Sequence, residues 1–227
     1  GAKVNLNDLL PKEILTAKKL VGLKESFQMV HFPENLKEAE RGHERLAFNE
    51  LLFTHLKSLY RKSDWQKNKS QFALKVDTKK VNEFVKSLPF TLTASQKKAI
   101  DEILSDLKRN IPMNRLLEGD VGSGKTVVAA IGAYVSYLNG FQSVIMAPTQ
   151  ILAEQHYKTI KKLFPKLKIA LITASRFLIP DSSHIFIGTH ALLHSKIDFT
   201  NVAFVVIDEQ HRFGVEQRTH LVKKSKS

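Results

Sequence analysis

Cysteine is absent from the 227 residues, which excludes disulfides, thiolate metal ligands and thiol redox chemistry and fits a reducing cytoplasm. Acidic side chains are scarce beside basic ones: 22 Asp and Glu stand against 35 Lys and Arg, for a formal net charge of +13. That balance favours a polyanionic partner through phosphate neutralisation and counterion release, with solubility alone as the plainer account. Long apolar runs are also missing. The most apolar stretch, residues 127–146, is interrupted by Ser136, Tyr137, Asn139, Gly140, Gln142 and Ser143, so neither a membrane span nor a membrane partner is expected. A signal peptide is not found. The chain opens Gly1-Ala2 without Met, so its natural beginning is expected to lie upstream.

The positive excess is spread along the chain. Residues 1–90 carry 17 basic and 11 acidic side chains and residues 91–227 carry 18 and 11, which argues against a detachable basic tail. From residue 8 to about 60 the apolar spacing is helical, with Leu9, Leu10, Ile14 and Leu15 in one segment and Phe48, Leu51, Leu52, Leu56 and Leu59 in another. His31-Phe32-Pro33 breaks the rhythm between them, because the Pro33 ring disfavours the α region for Phe32. Residues 61–80 are rich in Lys, Ser and Gln with little apolar period and read as a loop or linker.

After Pro89 short apolar runs alternate with helical stretches, the pattern of parallel βαβ units with helices on both faces. Helices are expected over residues 94–109, 125–138 and 152–164, and strands over 115–118, 143–147, 169–172, 185–187 and 202–207. The fold class is therefore α/β, a parallel sheet with flanking helices preceded by a small helical region. Residues 1–85 are assigned to the helical linker and 86–227 to the sheet domain.

Gly119-Asp120-Val121-Gly122-Ser123-Gly124-Lys125-Thr126 matches G-x-x-x-x-G-K-[ST] and lies between an apolar segment and an apolar helix. Glycines let backbone N–H groups curl around a phosphate, and the helix N-terminus adds its dipole. Lys125 is suited to neutralising β and γ oxygens of ATP, and Thr126 to offering its hydroxyl to Mg²⁺. A P-loop needs a second carboxylate on a neighbouring strand, and Asp208 and Glu209 end the run Phe204-Val205-Val206-Ile207. Asp208 is expected to take the metal, and Glu209 to orient and deprotonate the attacking water. The plainer readings are a glycine-rich turn and an acidic strand end. Gln96 has two readings: Thr93-Ala94-Ser95-Gln96 fits a capping box, and its amide also suits recognition of an adenine edge.

Taken in order, residues 93–96, the P-loop, Ala147-Pro148-Thr149, Gly188-Thr189-His190 and Asp208-Glu209-Gln210-His211 resemble the motifs of superfamily 2 helicases. The longer strings, residues 116–126 and 208–218, resemble the RecG family of bacterial ATP-dependent DNA helicases, which remodel forks and branched junctions. Gln210 bears on this, since the related transcription-repair coupling and primosomal motors usually carry Glu there. Residues 9–48 are similar to the RecG stretch leading from the DNA-reading wedge into the motor.

The resemblance implies a P-loop, RecA-like motor using ATP and Mg²⁺ on branched or forked DNA in the cytoplasm. It also implies that Gln96 contacts adenine, that Thr149, Gln150, Thr189 and His190 lie near the DNA backbone, and that Gln210 and His211 couple nucleotide state to the strand path. Thr149 also fits a plain helix cap, and His190 with His194 fits a solvated or packed pair. Two departures stand out. Eleven residues separate Thr173 and Ile185, where the family has a longer basic segment, so a non-helical connection is expected. The sequence also stops at Ser227, ahead of the Thr-Ala-Thr motif and the second RecA-like domain with its arginine finger, so weak activity is expected of it alone. A nucleotide-gated DNA- or protein-binding module and a small-molecule P-loop kinase are the rival classes; the kinase would need an Arg-rich lid that is not seen.

Overall fold

Asn35 follows the break at Pro33 and starts the longest helix of the chain, its side chain accepting from the Glu38 amide at 3.0 Å. The computed structural model describes residues 7–70, 72, 74–194, 199 and 201–209. Packing divides the chain into two units, Gly1–Asn68 and Lys69–Ser227.

The first unit holds α1 (Lys12–Ala17), α2 (Leu23–His31) and α3 (Leu36–Lys67). Helix α2 ends at His31 as the Pro33 break requires. Helix α3 continues to Lys67, through the first part of the segment expected to be a loop. The reason is physical: only Gly42 and Arg45 of its 32 residues are buried. Much of it is therefore carried by capping and good helix formers, and leaves little apolar period to read.

Arg45, fully buried, fixes the unit. Its Nε donates to the Val21 carbonyl at 2.9 Å, and its guanidinium bonds Asn49 and Asp8, the latter at 2.6 Å. Asp8 also accepts from the Leu10 and Leu23 amides at 3.0 and 2.8 Å. Burial alone would push the Asp8 carboxyl up, but the two amides and the Arg45 guanidinium outweigh it and hold it below the usual carboxylate range.

The second unit contains α4 (Thr78–Lys86), α5 (Ala94–Leu107), α6 (Lys125–Leu138), β1 (Gln142–Met146), α7 (Gln150–Leu163), β2 (Ile169–Ile172), β3 (Phe177–Leu178), β4 (Ile185–Gly188), α8 (Ala191–His194) and β5 (Val202–Ile207). The strands lie in the order β3-β2-β4-β1-β5, all parallel except β3, which is antiparallel to β2. Side-chain alternation sorts the core. Ile145, Ile169, Ile185 and Ile187 pack with α5 and α6, while Val144, Met146, Ala170, Ile172 and Phe186 pack with Leu192, Leu193 and Phe199. A register shift beside Gln142 and Ser143 sets β5 so that Phe204 joins the first cluster. Phe204 lies so close under α6 that a Cβ on Gly132 would stand 2.3 Å from its ring. The short connection after β2 is non-helical, as expected, and forms β3 with Phe177 exposed.

Residues 115–118 differ from expectation: they form no strand. Leu116 is exposed, Arg115 pairs with Glu102 and Asp106 of α5, and among the described residues β5 is hydrogen-bonded only to β1. A segment becomes a strand only when a neighbouring strand accepts its backbone groups.

Arg45→Ala is expected to destabilise the chain by about 3 kcal/mol, since it leaves Asp8 without its buried partner, as read by urea denaturation under circular dichroism. Because the folded pKa of Asp8 is lowered, its contribution is present above the unfolded carboxylate pKa and is lost as pH falls through the folded value. The gap between wild type and variant should therefore close in acid. A second change tests the opposite sign. The Ser143 hydroxyl is fully buried with no partner among the described residues, so Ser143→Ala should stabilise by about 1 kcal/mol in the same assay.

Candidate nucleotide site

Because β1, β2, β4 and β5 run parallel, their carboxyl ends share one edge. One rung pairs Ile172 with Gly188, Gly188 with Met146 and Met146 with Ile207. The residues just beyond it, Thr173, Thr189, Ala147 and Asp208, therefore emerge side by side, at the edge where open α/β sheets bind ligands. The Asp208 amide donates to the Met146 carbonyl at 2.8 Å and fixes this end of β5.

Residues 119–124 form a loop entering α6 at Gly124. Gly122 and Gly124 have φ of +81° and +82°, a left-handed conformation that glycine adopts without steric cost. Val121 at the tip is fully exposed. Lys125 Nζ donates to the carbonyls of Gly119 and Asp120, the second at 2.9 Å, so the ammonium lies against the inside of the loop. Thr126 follows at the first turn of α6, half-buried.

Gln96 meets this loop. The capping box is formed: Thr93 Oγ1 accepts from the Gln96 amide at 3.2 Å and Gln96 Oε1 accepts from the Thr93 amide at 2.9 Å. Gln96 Nε2 also donates to the Ser123 carbonyl at 2.8 Å. The cap and the loop are thereby one unit, and a Cβ on Gly124 would stand 2.3 Å from that nitrogen. Beside Gln96, a cavity of about 400 Å³ opens between α4 and α5, lined by Lys86, Leu88, Phe90, Thr91 and Lys97 among others.

Asp208 is held from two sides. His156 Nε2 of α7 donates to Oδ2 at 2.8 Å, and the Glu209 amide donates to Oδ1 at 3.0 Å. The His156 bond, with the Glu209 amide and the Lys125 charge, outweighs burial and holds the carboxyl below the usual range. The Lys125 charge is the smallest of these contributions. His156 was missed in the sequence. It was legible in principle: Ala153 and Ile160, three before and four after it, are the buried face of α7, so a polar residue on that stripe needs a partner. Glu209 is exposed, with φ of +49°, rare for a non-glycine residue and often found where function requires it.

The remaining expected residues are distributed along the same edge. Thr149 caps α7, accepting from the Leu152 amide at 3.3 Å, and Gln150 donates to Glu154 at 3.2 Å. Thr189 Oγ1 accepts from the Ala191 amide at 3.4 Å, and His190 is exposed beside it. Gln210 and His211 lie outside the described residues. Among the described residues no cluster of three or more His, Asp or Glu could hold a metal unaided. Thr126 at the start of α6 and Asp208 after the end of β5 offer one hydroxyl and one carboxylate, oxygen donors of the kind that suit Mg²⁺.

A family model described as DEAD/DEAH box helicase matches residues 93–227. The chain is 38% identical over 234 residues to the ATP-dependent DNA helicase RecG of Streptococcus pneumoniae, covering 99% of this chain and 35% of that protein. It is 41% identical to RecG of Thermotoga maritima, covering 98% and 30%. It is also similar to a solved structure of RecG bound to a three-way DNA junction, with 40% identity and a TM-score of 0.77 over 92% of this chain and 30% of that one. A structure of T4 UvsW, at 17% identity and a TM-score of 0.54, shares the fold. The chain spans about a third of the length of the curated relatives it matches.

Gln96→Ala removes the side-chain half of the capping box and the loop bond, while Thr93 still caps the helix. Amide hydrogen exchange across residues 119–124 should accelerate while global stability falls by about 1 kcal/mol. Unchanged exchange in the loop would show that the latch does not hold it.

Proposed function

Because the chain belongs to the DEAD/DEAH box helicase family, we propose that it is the ATP-binding motor domain of a RecG-like DNA helicase acting on branched DNA. Residues 86–227 form the first RecA-like domain in this reading, and residues 1–85 lead into it, their last stretch from Lys69 packing in the same unit as the sheet. The observation that carries the proposal is the glycine loop, with Gly122 and Gly124 in the left-handed region, leading into α6, together with Asp208 at the carboxyl end of β5 on the shared edge of the parallel strands.

Each residue then has a task. The amides of Gly119, Asp120, Val121, Gly122, Ser123 and Gly124 cradle the phosphates, and Lys125 exchanges its loop carbonyls for phosphate oxygens, a charge-assisted bond. Thr126 and Asp208 would hold Mg²⁺, which would supply positive charge to neutralise the charge that develops in phosphoryl transfer. Glu209 orients and deprotonates the attacking water. Gln96 has one side-chain N–H and one carbonyl lone pair beyond the bonds it makes, the complement needed to read an adenine edge while keeping the loop in place.

Thr149, Gln150, Thr189 and His190 are assigned to the nucleic-acid side, and Gln210 and His211 to coupling between nucleotide and strand. The partners are branched or forked DNA and, within the same protein, a second RecA-like domain and a wedge domain. Among the described residues no helix is long and apolar enough to cross a membrane, and cytoplasmic work on DNA suits the excess of basic side chains.

A nucleotide-gated binding module uses the same loop without turnover, so Glu209→Gln in the complete protein separates the two readings. Turnover should fall by about 10²- to 10⁴-fold with ATP binding retained; unchanged DNA-stimulated hydrolysis would refute the role. Equal stimulation by linear duplex and by forks would count against the branched substrate but leave the motor standing.

A further inference from the structure

His156 lies outside the motifs that hold nucleotide, yet it is bonded to the carboxylate assigned to the metal. It is half-buried on the face of α7 that carries Ala153 and Ile160. Its Nε2 reaches 52 residues along the chain to Asp208 Oδ2 at 2.8 Å. The other carboxylate oxygen, Oδ1, is held by the Glu209 amide. Asp208 is therefore aimed by two groups: the helix on one side and its own strand end on the other.

Helix α7 begins with Thr149 as its cap and Gln150 as its first residue. His156 is six residues on, about 9 Å along a rigid helix. The helix packs against β2, β4 and α6, so a displacement at its start is carried to His156 as a body. We infer that His156 is a positioning residue that ties the aim of Asp208 to the seating of α7, and so links the nucleic-acid-facing start of that helix to the metal-ligand end of β5. This rests on the assignment of Asp208 to the metal made above. The physical basis is general: a hydrogen-bond donor behind a ligating carboxylate fixes its orientation, and removing such partners commonly weakens metal affinity.

The test uses the complete parent protein and a fluorescent ATP analogue, titrated with Mg²⁺ with and without forked DNA. Four proteins are compared: wild type, His156→Leu, His156→Gln and Asp208→Asn. His156→Leu should raise the Mg²⁺ midpoint for nucleotide binding by about 10- to 100-fold and lose the change in midpoint that DNA produces. His156→Gln presents an amide N–H in nearly the same place and should recover most of both. Thermal melting of each variant is followed in parallel, since a merely structural histidine would lower the melting temperature without moving the midpoint.

An unshifted midpoint in His156→Leu overturns the proposal, as does His156→Gln behaving like His156→Leu. If Asp208→Asn leaves the midpoint unshifted, the metal assignment itself falls and this inference with it. If Asp208→Asn shifts it and His156→Leu does not, only the role of His156 is refuted.

Discussion

Parallel pairing of β1 with β4 on one side and β5 on the other is the constraint on which the second unit depends. Parallel strands need crossovers; α7 carries the chain from β1 to β2, and the carboxyl ends of β1, β2, β4 and β5 are left on one edge. The alternation of Val144, Ile145 and Met146 then decides which helix meets which face. Slipping β1 by one residue would exchange those faces and move Met146 out of register with both Gly188 and Ile207. The meeting of Thr189, Ala147 and Asp208 at that edge follows from the register before any side chain at the site is considered.

Most of this was legible in the residues. The strands over 169–172 and 202–207 and the helix over 125–138 lie where their apolar periods put them. Two segments were not, for opposite reasons. Residues 115–118 have strand-like content, but a strand is defined by its neighbour, and content does not report whether one is present. Residues 61–67 lack an apolar period because that end of α3 is exposed all round, so helix was hidden behind hydrophilic composition. Pattern reading finds elements that bury a face and passes over those that do not.

The site divides in the same way. Contiguous spacing and strand-end position pointed to the glycine loop, Lys125, Asp208 and Glu209. Gln96 was legible as two alternatives, and the structure realises the cap while adding a bond that neither alternative contained, from Nε2 to the Ser123 carbonyl. That His156 needs a partner was legible from its helical stripe, but which partner was not, because Asp208 is remote in the chain; only the topology that lays α7 over β2 and β4 brings the two together.

Three helices each send one polar side chain to the edge where Asp208 ends its strand. Gln96 from α5 holds the Ser123 carbonyl, Lys125 from α6 holds the Gly119 and Asp120 carbonyls, and His156 from α7 holds the carboxylate. Groups anchored on packed helices lose little freedom when charge develops between them, which is the physical content of preorganisation. The same arrangement makes the site responsive. The loop and the carboxylate are each held by a helix that also packs elsewhere, so the placing of these polar groups is tied to how α5, α6 and α7 pack. Rigidity within each helix keeps its side chain in place, and the packing between helices sets where those side chains meet.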